Sequence, residues 1–304
     1  MLRKWLAFPV VRVGAIAVLA FALLMAFPTT RALAGELLNL FRVQQVVILP
    51  IDSASLENMS GDEAFGSQLS QLISSSTIVT DEPGEPVLVV SAEEASETAG
   101  FNVRLPDEMP LSYISVADSA AFTMQIDRTK AQSLLDGAGR SDLVLPDTID
   151  GAEISINIPA SVRTAFGLCP DPKSEEGPQG DMEVLYPDCI IFSQMPSPIV
   201  NVPEGLDMAQ LAQIGLEFTG MSREEAGAFT SSVDWTTTLV VPIPRDSTTY
   251  ADVSIDGVIG KLIQRESNDS AHYLLLWVKD GIVYVVSGLG TETARAFEIV
   301  NALP

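Results

Sequence analysis

Hydrophobic and polar positions are most regular in the last quarter of the chain. Segments 236–241, 250–255, 258–264, 273–279 and 282–287 are rich in β-branched and aromatic residues and read as five strands. Asp256-Gly257 and Asp280-Gly281 are two-residue connections of the kind that closes type I′ hairpins, since both central residues need positive φ. Helical spacing over 291–303 ends the chain.

Upstream the elements are shorter. A β-like run covers 43–51, and another covers 87–90. Ser60-Gly-Asp-Glu63, Ser91-Ala-Glu-Glu94 and Ser222-Arg-Glu-Glu225 have the spacing of capping boxes and predict three helix starts. The first helix runs to about Ser74 and the second ends near Gly100. Segments 113–118 and 121–126 read as a strand pair, 127–135 as a helix stopped at Gly137 or Gly139, and 152–158 as a strand with Ile154, Ile156 and Ile158 on one face. An amphipathic helix is expected over 207–218, stopped at Gly220. Residues 167–205 hold seven prolines and one apolar strand, 189–192, and read as a loop-rich insertion. The fold class is therefore α+β: an antiparallel meander with helices packed on one face, behind an N-terminal membrane helix.

That N-terminal helix rests on a separate pattern. A basic start, with Arg3 and Lys4, precedes an uncharged run from Val13 to Phe27. Ala32 and Ala34 before Gly35 form an A-x-A cleavage signature, so a secretory signal is one reading. The other is an uncleaved anchor, with the span extended back to Trp5 and Arg12 snorkelling to the headgroups. Either way the basic flank places the body outside the cytoplasm. The layout is a short basic start (1–12), an anchor or signal peptide (13–34), an α+β region (35–166), the insertion (167–205) and a C-terminal helix pair, meander and closing helix (206–304). The expected location is the cell membrane, single-pass with the body outside, or secretion after cleavage.

Charge narrows the partners. The chain carries 17 Lys and Arg against 40 Asp and Glu, a net of −23. Five of the bases precede residue 45, which leaves the body with 12 bases against 39 acids. Such a surface repels phosphate backbones, so no nucleic-acid partner is expected. Cys169 and Cys189 bracket the Pro- and Gly-rich loop, and an exterior compartment permits a disulfide between them.

Catalytic patterns are missing from the sequence. His272 is the single histidine, and there is no Gly-x-Ser-x-Gly elbow. No calcium loop, zinc-ligand spacing or phosphate-binding glycine loop is present, so neither metal nor cofactor is expected. Trp235, Tyr250, Tyr273, Trp277 and Tyr284 are either core or the lining of a ligand pocket on the sheet.

Several segments resemble a known family. Leu33-Ala34 followed by Leu37-Leu38 and Leu40-Phe-Arg-Val-Gln44 is similar to the juxtamembrane segment of bacterial membrane-anchored anti-sigma-factor-like proteins. Ser91-Ala-Glu-Glu-Ala95, Gly100-Phe101 and Leu105-Pro106 resemble the opening of their extracytoplasmic domain of unknown function. Asp256-Gly-Val-Ile-Gly260 with Tyr273, Trp277, Gly281, Tyr284 and Gly288 resembles its closing hairpins. The resemblance implies a sheet-and-helix fold distantly similar to lipoprotein-sorting domains. The cytoplasmic zinc module of those regulators is missing, since about a dozen residues before the apolar run are too few to fold around a sigma factor. The expected function is a non-enzymatic sensor or scaffold partnering another envelope or membrane protein. The rival is a carrier of a hydrophobic ligand in a cavity between sheet and helices.

Overall fold

The computed structural model describes residues 43–52, 63–106, 109–170, 186, 188–266, 271–290 and 292–304. Its strands are β1 (Gln45–Ile51), β2 (Thr77–Asp81), β3 (Val87–Val89), β4 (Tyr113–Ala117), β5 (Ala120–Gln125), β6 (Glu153–Ile158), β7 (Ser161–Phe166), β8 (Ile190–Pro196), β9 (Ile199–Asn201), β10 (Thr238–Pro244), β11 (Thr248–Ile255), β12 (Val258–Glu266), β13 (Ala271–Lys279) and β14 (Ile282–Leu289). The α-helices described are α1 (Glu63–Ser76), α2 (Ala92–Ala99), α3 (Arg128–Gly137), α4 (Met208–Phe218), α5 (Arg223–Ser232) and α6 (Ala294–Asn301). The class is α+β, with extensive antiparallel sheet.

The largest sheet has eight strands in the order β11-β12-β13-β14-β8-β7-β4-β3. Its first four strands are a hairpin chain, and the two Asp-Gly connections adopt positive φ at both residues: 49° and 79° at Asp256 and Gly257, 52° and 74° at Asp280 and Gly281. Local chemistry also sets the helix starts. Ser222 and Glu225 form a complete capping box on α5. At α2 Ser91 accepts from the Glu94 amide, but the Glu94 carboxylate takes the Val90 N–H instead of the cap's own.

Four expectations are corrected. Strand β10 does not open the meander; it pairs in parallel with β1, from Gln45 opposite Thr238 to Ile51 opposite Pro244. Prolines at 50, 242 and 244 leave these strands without a full set of donors, which suits a two-stranded pair and not a sheet centre. Second, β4 and β5 are both strands but do not pair with each other. Asp118 and Ser119 between them lack the positive φ that a two-residue hairpin needs. The chain instead crosses from the large sheet into a four-stranded one, β2-β5-β6-β9. Third, the strand expected at 189–192 is present as β8, but it belongs to no insertion: it lies between β14 and β7 in the large sheet. Fourth, the helices do not share one face. Helices α2 and α6 lie over the large sheet, whereas Leu216 of α4 and Ala226 of α5 pack with Leu49 and Val240 of the β1–β10 pair.

Strand alternation gives the large sheet two distinct faces. On the helix side Phe166, Phe192, Tyr273, Leu275, Trp277, Tyr284 and Val286 pack with Ala296, Ile299 and Val300 of α6. Farther along the same side, Val89, Ile114, Val116 and Val162 pack with Ala95 of α2. On the opposite side Ile263, Leu276, Val278 and Val283 lie under Val46, Ile48 and Ile243 of the β1–β10 pair.

One buried group stands apart from this packing. Thr164, between Ile114 and Phe192 across the strands, is fully buried and its Oγ1 has no hydrogen-bond partner among the described residues. An unsatisfied buried hydroxyl is costly, and valine has nearly its shape. Thr164→Val is expected to raise stability by about 1 kcal/mol, read as a higher urea midpoint at unchanged m-value.

Candidate functional site

The segment 13–34, with Arg12, Val13, Phe27, Ala32, Ala34 and Gly35, lies outside the described residues, as does Ser60. Among the described residues no helix is long and apolar enough to cross a membrane. Cys169 and Cys189 form a disulfide with Cα atoms 4.8 Å apart, joining the chain just beyond β7 to the residue before β8.

The five aromatic candidates are not brought together. Trp277 and Tyr284 stack with Phe192 inside the helix-side core, the Trp277 and Tyr284 centroids 5.1 Å apart. Tyr273 lies in the same core, its ring over Gly288 on the neighbouring strand, where a Cβ would overlap it. Trp235 is half-buried after α5 and donates to the Thr230 carbonyl. Tyr250 is exposed on the edge strand β11. The space between sheet and helices is thus occupied by core side chains.

The open site is on the other face. The β1–β10 pair covers only part of that side, and beyond it lies a groove of about 510 Å³ across strands β12, β13, β14, β8, β7 and β4. Its floor follows the register from Ile263 through Leu274, Ser287 and Ile191 to Tyr113. Ser287 and Ala165 are the small residues of that row, which is why the middle of the floor is low. Ile263 and Leu274 belong both to the groove and to the apolar cluster beneath β1–β10, so the groove continues an established packing layer. Cys189 and Pro170 border it, which puts the disulfide at its rim. Tyr273 is the one aromatic candidate that also borders it.

Polar groups flank this apolar floor. Arg163 and Ser115 are cross-strand partners on β7 and β4, and Arg265 and His272 are partners on β12 and β13. Both arginines are exposed. None of the described lining residues is acidic. Sequence reasoning missed Arg163 and Arg265 because they are about 100 residues apart in the chain. Alternation puts Arg163 on the face of β7 that carries Ser161 and Ala165, and Arg265 on the face of β12 that carries Lys261 and Ile263, so neither strand marks its arginine as exceptional.

A second charged cluster is structural. The Arg104 guanidinium sits on the Asp256 carboxylate through two nitrogens, at 2.5 and 3.0 Å, and its centre is 5.7 Å from the Tyr284 ring. Lys279 Nζ reaches the same carboxylate at 2.7 Å, and Trp277 Nε1 donates to it at 3.3 Å. Burial pushes the Asp256 carboxyl up, but hydrogen bonds from Arg104 and Lys279 more than offset it and hold the group down to about 2. The same pairing raises Arg104.

Among the described residues no group of His, Cys, Asp and Glu could hold a metal ion. Fold and groove together define an α+β protein whose eight-stranded sheet is, among the described residues, partly uncovered. In comparisons with known proteins, no family model, no curated protein and no solved structure matches the chain.

Proposed function

We propose that this chain is a non-enzymatic binding module of the cell envelope, a sensor or scaffold tethered by its N-terminal segment with the body outside the cytoplasm. The observation that carries the binding role is the groove: concave, apolar along its floor, and flanked by a few polar groups, the usual make-up of a small-ligand site. The Cys169–Cys189 disulfide at the rim supports the oxidising compartment. In this reading the ligand reaches a face next to the β1–β10 pair, and occupancy is passed to a membrane or envelope partner. The alternative, a carrier with its ligand between sheet and helices, is disfavoured by the stacked aromatics that fill that space. A secreted form after cleavage before Gly35 would keep the same groove.

The test is a C-terminal fusion to a reporter active only outside the cytoplasm, combined with fractionation and the intact mass of the unreduced chain. Reporter activity in the membrane fraction, with a mass lacking the two thiol hydrogens of Cys169 and Cys189, is the expected result. A reporter active only as a cytoplasmic fusion overturns the reading.

A further inference from the structure

We propose that the groove binds a small amphipathic anion, a carboxylate or phosphate head on an apolar body. The inference rests on the binding role argued above and names the ligand class. Its first support is the charge distribution. In a body with 39 acids and 12 bases, most cations find a carboxylate. Arg104, Arg128, Lys130, Arg140, Arg223, Lys261 and Lys279 are all ion-paired. Arg163 and Arg265 are the exceptions that line the groove: among the described residues neither has a salt bridge or a hydrogen bond from its side chain. Among the described residues no acid lines the groove beside them. A strongly acidic protein has thus kept a base without an ion pair on each flank of one groove.

Ser115 is the second and independent support. It is only 6% exposed, on the groove side of β4 between the core-facing Ile114 and Val116. Its hydroxyl has no protein hydrogen-bond partner among the described residues, yet it borders the groove next to Arg163. A serine more than nine-tenths buried, its hydroxyl bordering the groove beside a guanidinium with no ion pair among the described residues, is a built polar corner that matches an oxyanion, because arginine presents a planar fork of donors to a carboxylate or phosphate. The remaining floor, Tyr113, Ile191, Leu274 and Leu289, offers apolar and aromatic surface and would leave a purely ionic ligand poorly matched. The pairing of the two surfaces selects an amphiphile.

The test uses the full chain reconstituted in a neutral bilayer, with the empty bilayer as blank. Three soluble probes with one body and different heads, 4-phenylbutyrate, 4-phenylbutyl phosphate and 4-phenylbutanol, are titrated calorimetrically. One or both anions should bind about tenfold or more tightly than the alcohol, and the better of the two identifies the head group. The Arg163→Gln/Arg265→Gln variant, which removes no ion pair or side-chain hydrogen bond among the described residues, should bring the anions down to the level of the alcohol with an unchanged unfolding midpoint. Equal binding of all three probes overturns the anionic preference while leaving the groove as a ligand site. A preference that survives in the double variant overturns the role of these arginines. Binding of none of the three overturns both the ligand class and the groove.

Discussion

Replacing Asp256 by alanine is expected to cost about 3–5 kcal/mol of stability, because it removes the shared acceptor of a nearly buried charge cluster. The carboxylate is 9% exposed and Arg104 13% exposed, so water cannot readily replace the lost partner. Arg104 would be left over the Tyr284 ring and Lys279 without its ion pair, and Trp277 would lose its indole acceptor. Position 256 also has φ 49°, a left-handed conformation that Asp and Asn tolerate better than alanine. Asp256→Asn separates the two effects, since it keeps the backbone preference and one acceptor oxygen but removes the charge. Its expected cost is about 2 kcal/mol. Asp280 is the control: it occupies the same turn position at φ 52° but is exposed and, among the described residues, takes part in no ion pair. Asp280→Asn should stay within about 0.5 kcal/mol. Urea unfolding of the three variants decides this, and equal small losses at 256 and 280 would reduce Asp256 to a turn residue.

The same cluster sets a dependence on pH. The folded-state value of Asp256 is held below its ordinary 3.8, at about 2. Its contribution is therefore fully present above pH 4 and is lost as pH falls towards 2. The amount at stake is about 2 kcal/mol. Wild-type unfolding midpoints should drop through that window by more than those of Asp256→Asn, which has no carboxylate at this position to protonate.

What the sequence reveals about this fold divides by distance along the chain. The Asp256-Gly257 and Asp280-Gly281 hairpins and the Ser222 capping box are legible because each is closed by residues within one turn of each other. The Cys169–Cys189 bond is legible because the two cysteines bracket one Pro- and Gly-rich loop. Strand pairing across the chain is not. Gln45 meets Thr238, and β8 slots between β14 and β7, because apolar faces farther apart than any local pattern must be covered together. The aromatic strand 273–277 illustrates the limit: Tyr273 and Trp277 share a face by strand alternation, but which face lies under α6 depends on the whole sheet. The groove inherits that limit, since Arg163 and Arg265 become flanks of one floor only once β7 and β12 are ordered in the sheet.

Gln194 is the other position where a single side chain decides long-range structure, and its replacement by alanine is expected to cost about 3–4 kcal/mol. It is fully buried at the centre of β8, on the helix side of the sheet. Its carbonyl accepts from the Arg104 N–H at 2.9 Å and its amide donates to the Arg104 carbonyl at 2.8 Å. The amide thus mimics a neighbouring strand for segment 101–106, which has no strand partner of its own. Alanine would leave both backbone groups of Arg104 short of a partner and open a cavity beneath them. Gln194→Met tests how much is hydrogen bonding, since it restores most of the volume but neither polar contact. It should recover less than half of the loss, whereas full recovery would make packing the main role. Because Gln194 fixes the backbone of the residue whose guanidinium holds Asp256, the two sites share one anchor. The Gln194→Ala/Asp256→Ala double variant should therefore be destabilised by less than the summed single losses, by about 1 kcal/mol or more. Strict additivity in urea unfolding would mean that Arg104 reaches Asp256 without the clamp, and that segment 101–106 is held by Leu105 packing against the core instead.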